Sequence, residues 1–515
     1  MVIGLMAMLF VSRTAQADDT HYRAIPIGAH AIGLGGAFTG VADDASAAYF
    51  NPGGLALGGN HGLAGGLSIN AWERVDLRRA FDHPDAIATA STKTGRTVPL
   101  FIGAVLKFGP KDALQQKRFA LALSVLEPIF GNVGSFFAFK EEDELELTDT
   151  YKLNGSDRGT WYGLSFASRL NLKQSIGASL YLSVRKLNHA ETGVALAGGM
   201  EVPDDPSAFV GTSTAVNTQS LSFRAFHLIL RFGWLYRIKP QLQLGVMLQT
   251  PGIPLQQRVD TLSQGFVNDA STIPLVTNAY FADGRVKANL PLPGELEAGL
   301  EYWPAEKVML AFDAAIHTPV KSSRRVETAA MVPVGGLFFD QDTARRFIGN
   351  VAVGADFFFT KKVALEAGFF TDLSSAMNIP TNPLRFQNPQ VNRFGGTLSV
   401  AINVAGVGLS VGSTYIYGKG DAVGVVVNSA NEGLGYARTE ATSRTIYLHL
   451  TGATQAAADL GGKTATGIKK RMAQKEKEAA EEKARLEREA ADEALPEREA
   501  PGADAEAYEA PTKSD

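Results

Sequence analysis

Two adjacent carboxylates, Asp43 and Asp44, are the first residues along the chain whose types and spacing could do chemistry. Paired carboxylate oxygens are suitable ligands for a hard cation such as Ca²⁺. The same side chain also accepts hydrogen bonds from backbone N–H groups and so stabilises turns and helix ends. We favour the turn or helix cap and assign no metal site here, with cation binding left as the alternative.

Two other segments resemble cofactor-binding motifs, but neither fully matches the motif and its structural context. The run Gly33–Gly40 has glycines like those of a dinucleotide-binding loop, but no strand precedes it within a βαβ unit. Residues 457–464 end like a phosphate-binding loop, yet Ala457 occupies the position of its first glycine. The eight His are dispersed and there is no Cys. The sequence therefore predicts neither an enzyme nor a cofactor, and a net charge of −4 gives no reason to expect nucleic acid as a partner.

Apolar and polar residues alternate along most of the chain, which indicates the elements that position any site. In the run 397–404 (TLSVAINV), every second residue is Leu, Val or Ile, and the runs 176–185 and 241–249 alternate in the same way. A period of two is typical of a β-strand with different environments on its two faces. About fourteen such runs occur, so we expect about fourteen strands.

The connections between these runs fall into two length classes. Turns are short at 171–175, 239–240 and 304–307, whereas 186–219 and 251–289 are long. Short periplasmic turns and long outer loops are typical of outer-membrane barrels, whereas a soluble β-sandwich does not separate its connections in this way. The sequence predicts an all-β fold: a transmembrane antiparallel barrel over residues 60–453 in the outer membrane of a Gram-negative bacterium. An even strand number places both chain ends in the periplasm.

The chain begins with features of an exported protein. Residues 2–11 are apolar, and Ala15-Gln16-Ala17 follows as a small-residue cleavage site. A membrane anchor is the competing interpretation, but a helix needs about 20 residues to cross a bilayer. We therefore expect a signal peptide over residues 1–17.

Residues 18–59 are rich in Gly and Ala and contain the turn sequence Asn51-Pro52-Gly53-Gly54. Small residues allow backbones to pack closely, proline restricts φ, and glycine permits positive φ. We expect this segment to form a plug, or hatch, inside or under the barrel.

The run IGLGGAFTGVADDASAAYFNPGGLAL, residues 32–57, resembles the start of the FadL-like outer-membrane proteins. In that family a G-x-G-G-A-F segment is followed by A-D-D-A and ends in Asn-Pro-Ala-Gly; Gly53 stands here where Ala is usual. The resemblance implies a fourteen-stranded barrel with an N-terminal hatch, and transport of long-chain fatty acids or other hydrophobic compounds. The family also contains secretion-associated members such as PorV, so two functions remain open.

Several polar residues are predicted to face the lumen. If the apolar residues of the strand near 226–238 face lipid, then His227, Arg231 and Arg237 face inward, as does Glu297 on a later strand. We favour salt bridges that tie the wall to the plug. The alternative is that Arg231 binds the carboxylate of an amphipathic ligand, because a guanidinium forms a charge-assisted fork with that group.

After the barrel, residues 454–515 change to a charged composition. We expect a solvated helix over about 466–495, followed by a disordered end. This periplasmic tail is either a simple extension or a tether for a periplasmic partner.

Two functional hypotheses follow. A transporter would take a hydrophobic small molecule such as a fatty acid from outside, using apolar side chains of the outer loop 251–289, and release it through the wall into the outer-membrane lipid. A structural or secretion-associated barrel would use the same loop to bind protein. We favour transport, with these outer-loop residues as the catching surface: Phe266, Leu275, Tyr280 and Phe281.

Overall fold

The computed structural model describes most of the barrel and part of the N-terminal region. The described residues are 20–23, 27–57, 62–83, 86–97, 101–111, 117–142, 146–197, 201–202, 205–209, 213–269, 275–283, 287–288, 290–321, 326–327, 344–360, 362–383, 389–404, 407–428, 433–454 and 481. The predicted signal peptide lies outside them, as does the predicted tail helix apart from Glu481.

The described secondary structure is three short helices followed by strands. The helices are α1 (His30–Gly33), α2 (Ala47–Phe50) and α3 (Gly54–Leu57). The strands are β1 (Gly62–His83), β2 (Ala86–Thr97), β3 (Phe101–Lys111), β4 (Lys117–Glu142), β5 (Glu146–Arg169), β6 (Gln174–Ala197), β7 (Glu201–Val202), β8 (Asp205–Phe209), β9 (Ser213–Lys239), β10 (Leu242–Gln249), β11 (Ile253–Asp269), β12 (Leu275–Asp283), β13 (Lys287–Ala288), β14 (Glu295–Ala305), β15 (Val308–His317), β16 (Val326–Glu327), β17 (Ile348–Phe358), β18 (Val363–Asp372), β19 (Gln390–Val404), β20 (Val407–Asn428) and β21 (Gly433–Thr454).

Fourteen of these strands close into an antiparallel barrel, which confirms the predicted fold class and strand number. Around the barrel the order is β1, β3, β4, β5, β6, β9, β10, β14, β15, β17, β18, β19, β20, β21. The last strand pairs with the first, from Ala64↔Ala453 to Leu77↔Ala441, so the wall has no free edge there. The barrel begins and ends at the rim that carries the short turns.

The alternation in sequence corresponds to two environments. Along β17 the residues are alternately buried and exposed, so that Val351 and Val353 are exposed while Asp356 is buried. On β19, Leu398, Val400 and Ile402 are also exposed. Leu398, for example, is 55% exposed. A closed barrel with an apolar outer surface and a polar inner surface is the arrangement expected of strands that cross a bilayer.

Two of the predicted long loops are largely strand. β6 continues to Ala197 and pairs there with the beginning of β9 at Ser213, and β11 and β12 form a hairpin that pairs with the first half of β9. The backbone ladder therefore continues past the apolar belt. Sequence alternation missed these extensions because it detects a strand only where one face is apolar, and the outer segments carry polar residues on both faces. Among the described residues, no helix is long and apolar enough to cross a bilayer.

Candidate functional site

Residues 27–57, here called the N-terminal segment, pack against inward-facing groups of the wall. Ala31, Leu34, Phe38 and Asn51 are completely buried. The three helices have four residues each and cannot satisfy their own backbone N–H and C=O groups, so most partners must come from outside them. The wall supplies many of those partners.

Glycines of the wall allow the segment to approach the strands closely. Three pairs of glycines lie directly opposite each other on neighbouring strands: Gly177↔Gly233, Gly245↔Gly299 and Gly354↔Gly368. A Cβ atom at these positions would collide with segment atoms, including backbone atoms of Pro52 at Gly177, of Thr39 at Gly245 and of Leu34 at Gly354. Glycine inside a strand often marks such a close backbone approach. These residues were not predicted, although glycines inside strands were a usable signal in the sequence.

The predicted turn Asn51-Pro52-Gly53-Gly54 is fixed by hydrogen bonds. Asn51 Nδ2 donates to the carbonyl oxygens of Thr39 and Trp234, each at 3.0 Å, and Asn51 Oδ1 accepts from the Gly53 N–H at 3.1 Å. We expected its glycines to supply positive φ, and this was wrong, because neither Gly53 nor Gly54 has a positive φ. They are needed for space: a Cβ at Gly54 would collide with the carbonyl of Ala42.

Carboxylates on one side of the barrel accept hydrogen bonds from the segment. Asp313 Oδ2 on β15 accepts from the backbone N–H groups of Phe38 and Thr39, both at 2.7 Å. His30 Nε2 lies 2.9 Å from Asp356 Oδ2 on β17. We call β14, β15, β17 and β18 the acidic wall.

The other side of the barrel donates hydrogen bonds to carbonyl groups of the segment. We call β3, β5, β6 and β9 the donor wall. Its donors and their acceptors are Lys107 Nζ to Leu55 O and to Ala56 O (3.1 Å), Arg169 to Ala56 O (3.0 Å), Ser175 to Gly53 O (2.6 Å), Ser179 to Ala48 O (2.7 Å) and Arg231 to Tyr49 O.

The two candidate carboxylates of the segment have different surroundings. Asp44 Oδ1 accepts from the N–H and the hydroxyl of Ser46 at 2.7 and 2.5 Å, which is the hydrogen bonding of a turn, whereas the residue at the N-cap of α2 is Ser46. Asp43 Oδ1 lies 3.3 Å from His30 Nδ1 instead. Asp44 Oδ2 also accepts from the His30 backbone N–H at 3.4 Å, so both carboxylates contact His30, one at its backbone and the other at its ring.

Arg231 is the most connected of the predicted lumen residues. Its side chain donates to Gln249 at 2.7 Å and to Glu295 at 2.9 Å, and the guanidinium lies 3.8 Å from the ring centre of Tyr49. Arg231 thus joins the wall to the segment. This arrangement corresponds to the predicted salt bridge between wall and plug rather than to an arginine that is free to bind a ligand. Burial raises the pKa of the Tyr49 phenol, so Tyr49 contacts Arg231 as a neutral ring.

The remaining lumen candidates do not converge on one point. Glu297 is buried and forms an ion pair with Arg23. Burial lowers the pKa of Arg23, but the attraction of Glu297 and Glu295 outweighs burial, so that the pKa is raised. His227 is buried with Nε2 3.5 Å from the side-chain amide of Gln257, and Arg237 is partly exposed near the turn at the end of β9.

A cluster of apolar and aromatic side chains lies under one part of the wall. Tyr49 of the segment lies 6.0 Å from Trp161, and Trp161 lies 5.5 Å from Tyr181, between ring centres. Phe101 and Leu126, directly opposite each other on β3 and β4, are 1% exposed and belong to the same core. We call these five residues the aromatic cluster.

Among the residues that the structure describes, the hydrogen-bonded wall is interrupted beside this cluster. The β3–β4 ladder ends at the pair Phe101↔Leu126, and the register of β4 then shifts before Ile129, around Pro128, which has no N–H to donate. Within the described residues, β2 forms a ladder with β1 alone, although β4 is its neighbour on the other side. We call this line between β2 and β4 the β2–β4 seam.

Comparison with known proteins finds similar solved structures. No family model and no curated protein matches the sequence. A FadL homologue from Pseudomonas aeruginosa has a similar structure, with a TM-score of 0.56, 14% identity, and coverage of 85% of this chain and all of that chain. The chain has the FadL fold. The CymD monoaromatic hydrocarbon channel (TM-score 0.49, 13% identity, 85% of this chain and 98% of that one) and the Ralstonia pickettii toluene transporter TbuX (0.46, 14%, 83% and 98%) are more distant.

In this FadL fold, the predicted outer-loop residues lie in the β11–β12 hairpin. The register pairs Phe266 with Asn278, Tyr280 with Gln264, Phe281 with Ser263 and Leu275 with Asp269. Their backbones therefore belong to a sheet that extends the first half of β9. The structure does not bring them together with the lumen residues, and their function as a catching surface stays a prediction.

Proposed function

We propose that the protein transports long-chain fatty acids or other hydrophobic compounds across the outer membrane and releases them sideways through the β2–β4 seam. The N-terminal segment acts as the hatch that blocks the barrel axis. The observation that carries this proposal is the interrupted wall ladder directly beside a buried aromatic cluster. The FadL fold and the resemblance of residues 32–57 to FadL-like proteins support the same conclusion.

The route avoids water. A barrel of fourteen strands is too wide for wall side chains alone to fill, so a packed hatch would be needed to close it. Each CH₂ group of a ligand that left through an aqueous path would cost about 0.8 kcal/mol. Sideways release into the bilayer keeps the alkyl chain in an apolar environment throughout, and the aromatic cluster supplies the last apolar surface inside the wall.

The proposed orientation follows from the short turns. We place the rim with short turns, where β1 begins and β21 ends, in the periplasm, after export by the predicted signal peptide. The charged tail then lies in the periplasm, where it could tether a partner. The β11–β12 hairpin lies on the outer side and collects ligand.

A substitution that fills the aromatic cluster tests the route. Ile129 is partly buried and packs against the apolar core next to the seam, whereas Leu123 on the same strand is 62% exposed on the outside. Ile129→Trp should reduce uptake of radiolabelled oleate several-fold in cells whose own fatty-acid transporter is deleted. Leu123→Trp adds the same side chain to the lipid-facing surface and should leave uptake unchanged.

The outcomes separate the two functional hypotheses. Lipid that copurifies in mild detergent and is depleted by Ile129→Trp would support the proposal. Equal uptake by both variants would remove the seam from the route. A barrel that supports no uptake, contains no copurified lipid and retains a protein partner would instead be a secretion-associated scaffold.

A further inference from the structure

A cluster of polar residues lies between α1 of the N-terminal segment and the acidic wall. It consists of His30, Asp356 and Glu366, whose potential ligand atoms all lie within 4.8 Å of one another. The three residues come from α1, β17 and β18. What we infer from this cluster is independent of the proposed transport function, because it rests on the geometry of these side chains.

The two wall carboxylates face each other at close range. Asp356 and Glu366 are directly opposite in the β17–β18 register, and they are only 1% and 2% exposed. Like charges directly across a sheet are destabilising, and burial increases the cost. A buried pair of this kind needs a positive charge or a proton.

The surroundings add more negative charge. Asp43 Oδ1 lies 3.3 Å from His30 Nδ1, and Asp44 and Glu301 are close enough to interact electrostatically with this group. One imidazolium supplies a single positive charge to Asp43, Asp356 and Glu366, and Arg237 interacts electrostatically with Glu301. In addition, Asp356 Oδ1 is buried and has no hydrogen-bond partner among the described residues.

The orientation of the His30 ring matches that of a metal ligand. One ring nitrogen, Nδ1, faces the Asp43 carboxylate, while Nε2 faces the wall and lies 2.9 Å from Asp356 Oδ2. Metal-binding histidines commonly donate their second N–H to a carboxylate, which fixes the ring and its tautomer. Two ligands of a tetrahedral Zn²⁺, each at about 2.1 Å, lie about 3.4 Å apart, which is within the span of this cluster.

Glu366 is also held in place for this role. Its Oε2 accepts a hydrogen bond from the Ser410 hydroxyl at 2.9 Å, and its carboxylate lies against Gly33, where a Cβ would collide with it. The glycine therefore leaves room for the carboxylate beside α1. Hydrogen-bonded carboxylate ligands are typical of built metal sites.

We propose that His30, Asp356 and Glu366 bind a divalent transition-metal cation such as Zn²⁺, with Asp43 as the carboxylate that orients His30. The imidazole excludes a preference for Ca²⁺ or Mg²⁺, which select all-oxygen sites. The bound cation joins the N-terminal segment to β17 and β18. Sequence spacing could not reveal this site, because His30 lies more than 300 residues from both carboxylates.

Zinc titration of the full-length protein tests this proposal. Protein in mild detergent is stripped with EDTA, dialysed, and titrated with ZnCl₂ in a calorimeter. We expect one Zn²⁺ per chain, with affinity reduced at least about 100-fold by His30→Ala and by Glu366→Gln, and about 10- to 100-fold by Asp43→Asn. His227→Ala removes another buried histidine and should bind zinc like the wild type.

Two controls make the result decisive. Heat-modifiable migration shows that each variant still forms a barrel, and if His30→Ala does not fold, the conservative Asp43→Asn variant decides. Zinc absorption spectroscopy should detect one imidazole together with oxygen ligands at about 2.0–2.2 Å. Absence of stoichiometric binding, binding that is unaffected by the Asp43 and Glu366 substitutions, or equal competition by Ca²⁺ would overturn the proposal.

Discussion

The acidic wall and the donor wall contact the N-terminal segment with groups of opposite polarity. On the acidic wall, Asp313 accepts hydrogen bonds from backbone N–H groups of residues 38 and 39. On the donor wall, side chains such as Lys107 and Ser179 donate to backbone carbonyls within residues 48–56. The wall thus supplies both kinds of partner that the short helices lack.

The difference shows how a segment of Gly and Ala can be positioned specifically. The hydrogen-bonding groups that it offers in these contacts are mostly backbone atoms, so much of the recognition comes from wall side chains. The glycine pairs contribute by removing side chains where the two backbones must touch. Substitutions that disturb one wall and leave the other intact can therefore distinguish the effect of charge from the effect of shape on how the segment is held.

Deletion of residues 32–57 should have the largest effect, because it removes the contacts of both walls together. If the segment is a hatch, the variant should conduct small polar ions in planar bilayers, with a conductance on the order of tenfold or more above that of the intact protein. A variant that inserts, keeps its heat-modifiable migration and still passes no current would show that this segment is not the plug.

Gly245→Val should have the next largest effect. A Cβ at Gly245 would collide with the carbonyl of Thr39, and backbone atoms cannot move aside as a flexible side chain can. Overpacking of this kind costs about 1–3 kcal/mol, so the segment should be displaced for part of the time and brief current steps should appear. Gly349→Val is the matched control, since the nearest atom to a Cβ there is 3.7 Å away. Equal behaviour of the two variants would contradict the close-approach argument.

The fold was predictable from the sequence to a greater extent than the site. Alternation such as that in 397–404 revealed the barrel, because a pleated strand with one lipid-facing side must repeat every two residues. The contacts of His30 with Asp356, or of Asp313 with Phe38, depend on how the closed barrel brings distant strands to the segment, and no local pattern encodes them. Arg231 was recognised as an inward-facing residue, but its hydrogen bonds with Gln249 and Glu295 were not predicted.

Asp313→Ala should loosen the acidic wall without disturbing the donor wall. Hydrogen bonds to a charged group contribute about 1.5–3 kcal/mol each, and Asp313 Oδ2 accepts two. We expect amide hydrogen exchange at residues 38 and 39 to become about 10- to 100-fold faster, with little change in residues 47–57. Asp421→Ala removes a partly exposed carboxylate of β20, which pairs with Arg438 away from the segment, and controls for the change in net charge. If exchange became equally faster at residues 38 and 39 and in residues 47–57, the two walls would not hold the segment independently.

Ser179→Ala should have the smallest measurable effect and probes the donor wall alone. The Ser179 hydroxyl lies 2.7 Å from the Ala48 carbonyl and 2.7 Å from the Ser165 hydroxyl, so its loss removes one neutral hydrogen bond to the segment and one within the donor wall. Such a bond contributes about 0.5–1.5 kcal/mol, which corresponds to about 2- to 13-fold faster amide exchange around α2. Ser183 is the matched control on the same strand, because it is equally buried and its hydroxyl has no hydrogen-bond partner among the described residues. Ser183→Ala should therefore leave exchange around α2 unchanged. If both serine variants accelerate exchange equally, burial of the strand rather than the hydrogen bond to Ala48 determines how firmly this half of the segment is held.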